Sequence, residues 1–211
     1  MKGLYLVTDR KICGDRQLED VVRKTLGGGA ICVQLREKDV STRFFIEEAK
    51  KIKTVTARFR VPLIINDRLD VALAVGADGV HIGQEDMPYE TARKLMGPRA
   101  IIGLSVETWD DVVKAQELDV NYLGVSPIFE TPTKTDTKGS WGLEGLMKIK
   151  AYSRHPLVAI GGLNASNAED VIMAGADCIA VVSAICAASD PLQASRELND
   201  IIRAALDKRS T

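Results

Sequence analysis

The chain has 211 residues, 45% of them hydrophobic, and this length suffices for one large buried core without disulfides or structural metals. Its 28 basic and 29 acidic residues leave a formal net charge of −1, which argues against nucleic acid or an anionic membrane as a partner. With no CxxC pair among four cysteines, no export signal and no apolar run near the ~18 residues of a membrane span, we expect a cytoplasmic protein with reduced thiols.

Short apolar runs rich in valine and isoleucine recur along the chain, and each precedes a segment of helical periodicity. This alternation predicts parallel strands joined by crossover helices. Eight such units fit a (β/α)8 TIM barrel, and we expect residues 1–211 to form a single domain of this α/β class. The predicted strands are Leu4–Thr8, Ala30–Leu35, Pro62–Ile65, Gly79–Ile82, Ile101–Leu104, Tyr122–Val125, Leu157–Ile160 and Cys178–Val182.

A helix is predicted after the second strand. The Ser41 hydroxyl can cap its first turn. Apolar residues then recur near a 3.6-residue period among charged neighbours, and this stripe is expected to face the barrel. Its members are Phe44, Phe45, Ala49, Ile52 and Val55.

The second predicted strand ends in the polar segment Gln34-Leu35-Arg36-Glu37-Lys38. Active sites of such barrels lie where the carboxyl ends of the strands meet the following loops. Strand alternation directs Gln34, Arg36 and Lys38 to one side. An arginine fork and a lysine point charge together suit a polyanion such as a diphosphate. The alternative is a solvated loop of charges that pair with one another.

Carboxylates follow the third and fourth predicted strands, at Asn66-Asp67 and at Asp86. Mg²⁺ is commonly held by one or two protein carboxylates and completes its shell with water and substrate phosphates. We therefore predict Asp67 and Asp86 as magnesium ligands. Each could instead cap the helix that follows it.

Two further polar residues lie on the fourth and fifth strands. Ser105 can hydrogen-bond a substrate or cap the next helix. His81 lies between Val80 and Ile82, where a hydrogen-bonded core histidine is as reasonable as a ligand, and it is assigned no role.

The long polar stretch 126–141 contains the segment Thr131-Pro132-Thr133-Lys134. Irregular stretches of this length in compact domains are usually functional or disordered. Two hydroxyls and a lysine could fold over a phosphate and exclude water, so we predict a mobile active-site loop. A plain solvated loop is the alternative.

The last two strands lead into Gly161-Gly162 and Val182-Ser183. Loops seven and eight commonly bind phosphate through exposed backbone N–H groups. We predict the same for Gly162, Val182 and Ser183, although the glycines could merely form a tight turn. The sequence offers no Ser–His–Asp or Cys–His nucleophile pattern and no zinc spacing, so the expected chemistry is electrostatic and involves two anion sites.

Taken together, these segments resemble the thiamine-phosphate synthase family over essentially the whole chain. The segments that carry the resemblance are Tyr5–Asp9, Gln34–Lys38, Asn66-Asp67, Gly76–Asp86, Ile102–Ser105, Tyr122–Gly124, Thr131–Lys134, Gly142–Leu146, Ala159–Gly162 and Val182–Ile185.

The resemblance implies a Mg²⁺-dependent transfer of a hydroxymethylpyrimidine group from its diphosphate to hydroxyethylthiazole phosphate, with the diphosphate leaving first. It implies three groups of site residues. Arg36, Lys38 and Lys134, with Mg²⁺ on Asp67 and Asp86, would stabilise the leaving diphosphate. Gln34, Asn66 and Ser105 would position the pyrimidine diphosphate, and Thr131, Thr133, Gly162, Val182 and Ser183 would hold the thiazole phosphate. The predicted substrate-binding set also includes Leu35, Glu37 and Pro132, and a homo-oligomer is left open.

Three other functions compete with this interpretation. A related thiazole tautomerase need not bind a metal diphosphate, whereas this chain has Arg36, Lys38, Asp67, Asp86 and Lys134 together. Another phosphate-sugar barrel would leave the carboxylates and cations without a role. A non-catalytic sensor of thiamine precursors would bind both substrates without turnover.

Overall fold

The computed structural model describes residues 1–130 and 139–210. Eight parallel strands pair in sequence order, and β8 pairs with β1 to close the barrel. The strands are β1 Gly3–Val7, β2 Cys32–Leu35, β3 Leu63–Asn66, β4 Gly79–Ile82, β5 Ile101–Val106, β6 Tyr122–Val125, β7 Leu157–Ile160 and β8 Cys178–Val181. The predicted (β/α)8 fold is confirmed.

Helices surround the strands, as crossover connections between parallel strands require. In chain order they are α1 Arg10–Cys13, α2 Leu18–Gly27, α3 Thr42–Phe59, α4 Leu69–Val75, α5 Tyr89–Met96, α6 Trp109–Ala115, α7 Gly142–Tyr152, α8 Ala168–Met173, α9 Ser183–Cys186 and α10 Pro191–Ser210. None of the helices described has the length and apolar character needed to cross a lipid bilayer.

The predicted strands match the observed ones closely, and the largest differences, two residues each, lie at the start of β2 and the end of β5. Ala30 was predicted as strand, but its amide donates to the carbonyl of Thr25 and so completes the turn that ends α2. β5 instead continues to Val106, because Ser105 and Val106 pair with Gly124 and Val125 of β6.

Strand alternation divides the buried side chains into two cores. Outward-facing residues such as Leu6, Val33 and Ile65 pack beneath the helices. Inward-facing residues such as Tyr5, Ile64 and Val158 fill the barrel. The interior is therefore a packed floor, above which the loops at the carboxyl ends of the strands can form a cavity.

Helix α3 forms as its sequence predicts. The Ser41 hydroxyl accepts a hydrogen bond from the Phe44 amide at 3.2 Å. Phe45, Ala49 and Ile52 are buried, whereas Phe44 and Val55 lie at the edge of the stripe and are only partly covered. The cap and the apolar stripe together fix where the helix begins and which face it buries.

A recurring side-chain bond joins the strands at the amino ends of the barrel. The residue just before β4, β6 and β8 is Asp78, Asn121 or Asp177, and its side-chain oxygen accepts an amide from the preceding strand. The donors are Leu63, Ile102 and Leu157, at 2.8, 2.8 and 3.0 Å. These bonds satisfy amides at the start of each strand, which is a stabilising role remote from the cavity.

We predict that Asp177→Ala lowers the free energy of unfolding by about 3 kcal/mol. The Asp177 carboxylate is buried and also pairs with Lys150 at 2.8 Å and Arg209 at 3.1 Å. Burial alone would raise the pKa of Asp177, but hydrogen bonds from Lys150 and the Leu157 amide hold it below its usual value. The stabilisation is therefore present above the unfolded pKa of about 3.9 and is lost as pH falls through the lower folded pKa.

Urea denaturation at neutral and at acidic pH measures this effect. The difference in the free energy of unfolding between wild type and Asp177→Ala should become smaller as the pH is lowered. Asp200→Ala, on the exposed side of α10, is the control and should stay within about 0.5 kcal/mol of wild type. Equal stability of Asp177→Ala and wild type at pH 7 would contradict the prediction.

Candidate active site

A cavity of about 380 Å³ opens at the carboxyl ends of the strands. It receives residues from the predicted polar segments of β2, β3, β4 and β5 and of the last two loops. The predicted site residues that line it are Gln34, Arg36, Lys38, Asn66, Asp67, Asp86, Ser105, Gly162, Val182 and Ser183. The fold thus gathers side chains that are up to 149 positions apart, Gln34 to Ser183, in one concave space.

Both predicted cations of the β2 segment face this cavity. Lys38 Nζ lies 2.5 Å from Asp67 Oδ2. Arg36 Nη1 lies 3.5 Å from Asp9 Oδ2, and the Arg36 amide donates to the buried Thr8 hydroxyl at 3.1 Å. These two charges are thus paired, as the alternative interpretation supposes, but Arg36, Lys38 and Asp67 all line the cavity.

Leu35 and Glu37 lie on the opposite side of the same segment and do not line the cavity. Leu35 is fully buried in the outer core. Glu37 accepts a hydrogen bond from Arg10 at 2.8 Å, and Arg10 also donates to Glu48 of α3 at 2.7 Å. The prediction that these two side chains contact substrate is not supported, because the alternation that directs Arg36 and Lys38 inward directs them outward.

The two carboxyl groups predicted as metal ligands lie next to each other. Asp67 has a backbone φ of +61°, and its amide donates to the carbonyl of His81 at 2.8 Å. Asp86 Oδ2 accepts the Gly83 amide at 2.7 Å. Burial raises the pKa of Asp86, and the adjacent Asp67 carboxyl raises it further. Neither aspartate caps a helix: α4 and α5 follow Arg68 and Pro88 without a side-chain cap.

This pair of carboxyl groups fits a divalent cation. Adjacent carboxylates repel each other unless a proton or a cation lies between them, and the Lys38 ammonium already contacts Asp67. Within 1–130 and 139–210, no cluster of three or more histidine, cysteine, aspartate or glutamate residues is arranged to hold a metal. Two carboxylates with open remaining positions are the donor set expected for Mg²⁺, which keeps water and substrate oxygens as its other ligands.

Gly161 and Gly162 bring the β7 loop close to the loop after β6. Both have positive φ values, +104° and +69°, and a Cβ on Gly162 would lie 2.9 Å from Cβ of Phe129 and 3.0 Å from the carbonyl of Glu130. Only glycine fits this approach. The tight turn is therefore also part of the cavity wall, and phosphate binding by Gly162 stays a prediction.

The predicted segment Thr131, Pro132, Thr133 and Lys134 lies outside the described residues. The ends of the stretch that contains it are anchored, because the Trp141 and Gly142 amides donate to the carbonyls of Pro127 and Ile128 at 2.9 Å each. Ser126 and Gly161 line the cavity beside these ends.

The sequence interpretation missed a hydrogen-bonded chain in the cavity floor. Tyr5 and Tyr122 hydroxyls are 2.9 Å apart, His81 Nδ1 lies 3.0 Å from the Tyr122 hydroxyl, and His81 Nε2 lies 2.8 Å from Ser105 Oγ. Gln34 Nε2 donates to the Tyr5 hydroxyl at 2.9 Å. Burial raises the pKa of both tyrosines well above the usual value, so their hydroxyls stay protonated. Inward strand positions are the signal that could have identified these residues.

Comparisons with known proteins agree on one family. Residues 4–185 match the family model described as thiamine monophosphate synthase. The chain is 56% identical to a thiamine-phosphate synthase of Albidiferax ferrireducens, over 95% of this chain and 92% of that protein. It is 52% identical to a thiamine-phosphate synthase of Leptospira biflexa, over 95% of this chain and 97% of that protein. A solved thiamine phosphate pyrophosphorylase from Pyrococcus furiosus superposes with a TM-score of 0.89 at 40% identity, over 97% and 96% of the two chains.

Proposed function

The chain belongs to the thiamine monophosphate synthase family, and from this premise we infer how its cavity performs the reaction. It is a transferase of thiamine biosynthesis. It joins the pyrimidine group of hydroxymethylpyrimidine diphosphate to hydroxyethylthiazole phosphate, giving thiamine phosphate and pyrophosphate. The observation that carries the assignment of its site is the convergence of two carboxyl groups and two cations on one cavity.

We propose that Asp67 and Asp86 hold Mg²⁺ at the diphosphate end of the cavity. When bound, the ion would neutralise phosphate oxygens and so favour departure of the diphosphate. Lys38 now contacts Asp67, and a second cation on that carboxylate would release the ammonium towards the phosphates. Arg36 and Lys38, with Lys134 from the undescribed segment, then supply preorganised positive charge where negative charge accumulates.

The pyrimidine is proposed to lie against Gln34, Asn66 and Ser105. Gln34 and Asn66 are at least nine-tenths buried and lie on neighbouring strands beneath the cations. Amide side chains offer both donors and acceptors, which suits a ring that carries nitrogens and an amino group. Their burial keeps water away from the carbon that loses the diphosphate.

The thiazole phosphate is proposed to lie at the opposite wall, against Gly162, Val182 and Ser183, and to be held also by Thr131 and Thr133, which lie outside the described residues. Gly162 has no side chain between its backbone and the cavity, and Ser183 begins α9. Placing the thiazole here holds its ring nitrogen across the cavity from the pyrimidine, so that attack becomes an oriented step within one complex.

The reaction itself tests the assignment. Purified protein with both substrates and Mg²⁺ should form thiamine phosphate and pyrophosphate, and omission of either substrate should abolish the product. EDTA should stop the reaction and excess Mg²⁺ should restore it. Chromatographic detection of thiamine phosphate is the measurement. A correctly folded protein that forms no product under these conditions would remove the assignment.

Gly162→Val should raise the KM for the thiazole phosphate about tenfold or more while changing the Mg²⁺ dependence little. A Cβ at this position meets Phe129 and Glu130, and valine is strained at a φ of +69°. Initial rates with each substrate varied in turn separate the two KM values. The control Gly14→Val also places valine at a positive φ, +63°, but nothing lies within 4 Å of its Cβ. If only the KM for the pyrimidine diphosphate rose, the placement of the thiazole phosphate beside Gly162 would be contradicted.

We further propose that the enzyme works in the cytoplasm on small molecules. Its four cysteines are free and buried, as expected for a reducing compartment. The balanced charge of the chain gives no basis for a nucleic-acid partner.

A further inference from the structure

We propose that His81 and Tyr122 are positioning residues that fix the direction of the Ser105 hydroxyl hydrogen. In this assignment Ser105 donates into the cavity and selects a substrate ring that presents a hydrogen-bond acceptor at that point. The identity of the ring rests on the proposed function, whereas the direction of the hydrogen bonds rests on the cavity floor alone.

The floor contains an unbroken chain of polar groups from β2 to β5. It runs from Gln34 through the Tyr5 and Tyr122 hydroxyls to His81 and ends at Ser105, with every separation between 2.8 and 3.0 Å. Tyr5 and Tyr122 are at most 1% exposed. Buried polar groups of this kind are almost always satisfied within the protein, so each hydroxyl hydrogen needs an acceptor in the chain.

Counting hydrogens gives the chain a direction. Gln34 donates to the Tyr5 hydroxyl, whose own hydrogen then goes to Tyr122. Tyr122 has accepted one hydrogen bond and donates its hydrogen to Nδ1 of His81. A neutral imidazole with Nδ1 as acceptor carries its hydrogen on Nε2, which donates to Ser105 Oγ.

The reverse direction leaves a buried hydrogen poorly placed. If Tyr122 donated to Tyr5, the Tyr5 hydroxyl would accept from both Gln34 and Tyr122, and its own hydrogen would have to go elsewhere. The Cys32 thiol lies close enough to raise the pKa of Tyr5, but sulfur is a weak acceptor, and the hydrogen bonds seen for the Tyr5 hydroxyl are to Tyr122 and Gln34. The forward direction satisfies both hydroxyls with strong partners and is the one we assign.

Two glycines hold the ring pair in place. Gly103 of β5 pairs with His81 on one side and with Tyr122 on the other, so no side chain separates the two rings. The rings stack with centroids 5.5 Å apart and an interplanar angle of 22°. A Cβ on Gly103 would collide with the Tyr122 ring, and one on Gly124 would lie 2.8 Å from His81 Cε1. The barrel is therefore shaped around this pair.

The direction of the hydrogen bonds in the cavity floor determines which hydrogen bond Ser105 can make to a substrate. The Ser105 hydroxyl oxygen accepts the hydrogen from His81, and its carbonyl accepts Gln84 Nε2 at 2.6 Å. The hydroxyl hydrogen remains for an acceptor in the cavity. A pyrimidine ring nitrogen is such an acceptor.

The tautomer of His81 tests the proposal without any activity measurement. The chain has two histidines, and His155 Nε2 lies 3.0 Å from the carbonyl of Ala115. Long-range ¹H–¹⁵N spectra of histidine-labelled protein at neutral pH should show the Nε2–H pattern for His81. His155→Gln assigns the signals. A Nδ1–H pattern for His81 would overturn the proposal.

Two tyrosine variants separate positioning from a general packing effect. Tyr122→Phe removes the donor to Nδ1 and should shift His81 from the pure Nε2–H pattern. Tyr5→Phe removes a phenol oxygen from the same floor but leaves the Tyr122 donor, so the His81 pattern should be retained. If both variants changed the pattern equally, or neither did, the assigned direction would be wrong.

Substrate analogues test the selectivity that follows. Two pyridine analogues of the pyrimidine diphosphate, each lacking one ring nitrogen, are compared in wild type and Ser105→Ala. For the analogue that lacks the nitrogen facing Ser105, kcat/KM in wild type should be about tenfold lower than for the natural diphosphate. This difference should disappear in Ser105→Ala. Equal losses for both analogues in both proteins would refute the selective role. Absence of turnover with the natural diphosphate would instead refute the synthase function and leave the tautomer result standing.

Discussion

Asp67→Asn is expected to lower kcat/KM by about two to three orders of magnitude and to raise the Mg²⁺ concentration needed for half-maximal rate. Asparagine keeps the shape of the side chain but removes the charge that attracts the cation. It is also better suited than alanine, because Asp67 has a φ of +61° and asparagine tolerates this conformation. Loss of rate can therefore be assigned to charge and not to backbone strain.

The measurement is the initial rate as a function of Mg²⁺ at saturating substrates. Asp39→Asn is the matched control: Asp39 follows the neighbouring strand β2 and pairs with Lys11, but it does not line the cavity. The control should keep both the wild-type rate and the wild-type Mg²⁺ dependence. A fully active Asp67→Asn protein with unchanged Mg²⁺ dependence would show that this carboxylate is not a metal ligand, although the barrel would stand.

The strands of the barrel were predictable because each is buried on both faces. A parallel strand beneath helices needs apolar residues on its outer side and residues that fill the barrel on its inner side, so it appears in sequence as a short run rich in valine and isoleucine. The boundaries were less predictable. Ala30, for example, belongs to the turn that ends α2, since its amide bonds Thr25.

The side of the strand to which Arg36 and Lys38 point was also predictable, because alternation along one strand is a local property. The partners of the intervening residues were not. Glu37 is held by Arg10 from the preceding unit, and Arg10 is held by Glu48 on α3. Such a network depends on how three elements pack, which no local pattern contains.

The floor of the cavity was missed for a similar reason. His81 was left between two interpretations because its meaning depends on Gly103 and Tyr122, which the barrel register places beside it. The glycines in β5 and β6 were the available signal, since glycine inside a strand often marks a close approach of another group. Recognising what approaches requires the register of three strands.

Arg36→Gln is expected to lower kcat/KM by about two to three orders of magnitude, and Arg36→Lys is expected to recover only part of that loss. The guanidinium can donate two parallel hydrogen bonds to phosphate oxygens, whereas an ammonium offers a point charge. Its backbone is fixed by Thr8, and Glu37 is anchored on the other side of the strand, so the Arg36 side chain starts from a fixed point in the cavity wall. The measurement is kcat/KM for the pyrimidine diphosphate in each variant.

Arg23→Gln is the matched control, because Arg23 pairs with Asp20 at the surface of α2 and lies outside the cavity lining. Its kcat/KM for the pyrimidine diphosphate should equal that of wild type. If charge alone mattered, Arg36→Lys would equal wild type, and if the residue only shaped the wall, Arg36→Lys and Arg36→Gln would be equally impaired. A kcat/KM of Arg36→Lys between those of wild type and Arg36→Gln requires both the charge and the fork, because lysine keeps the charge but not the fork.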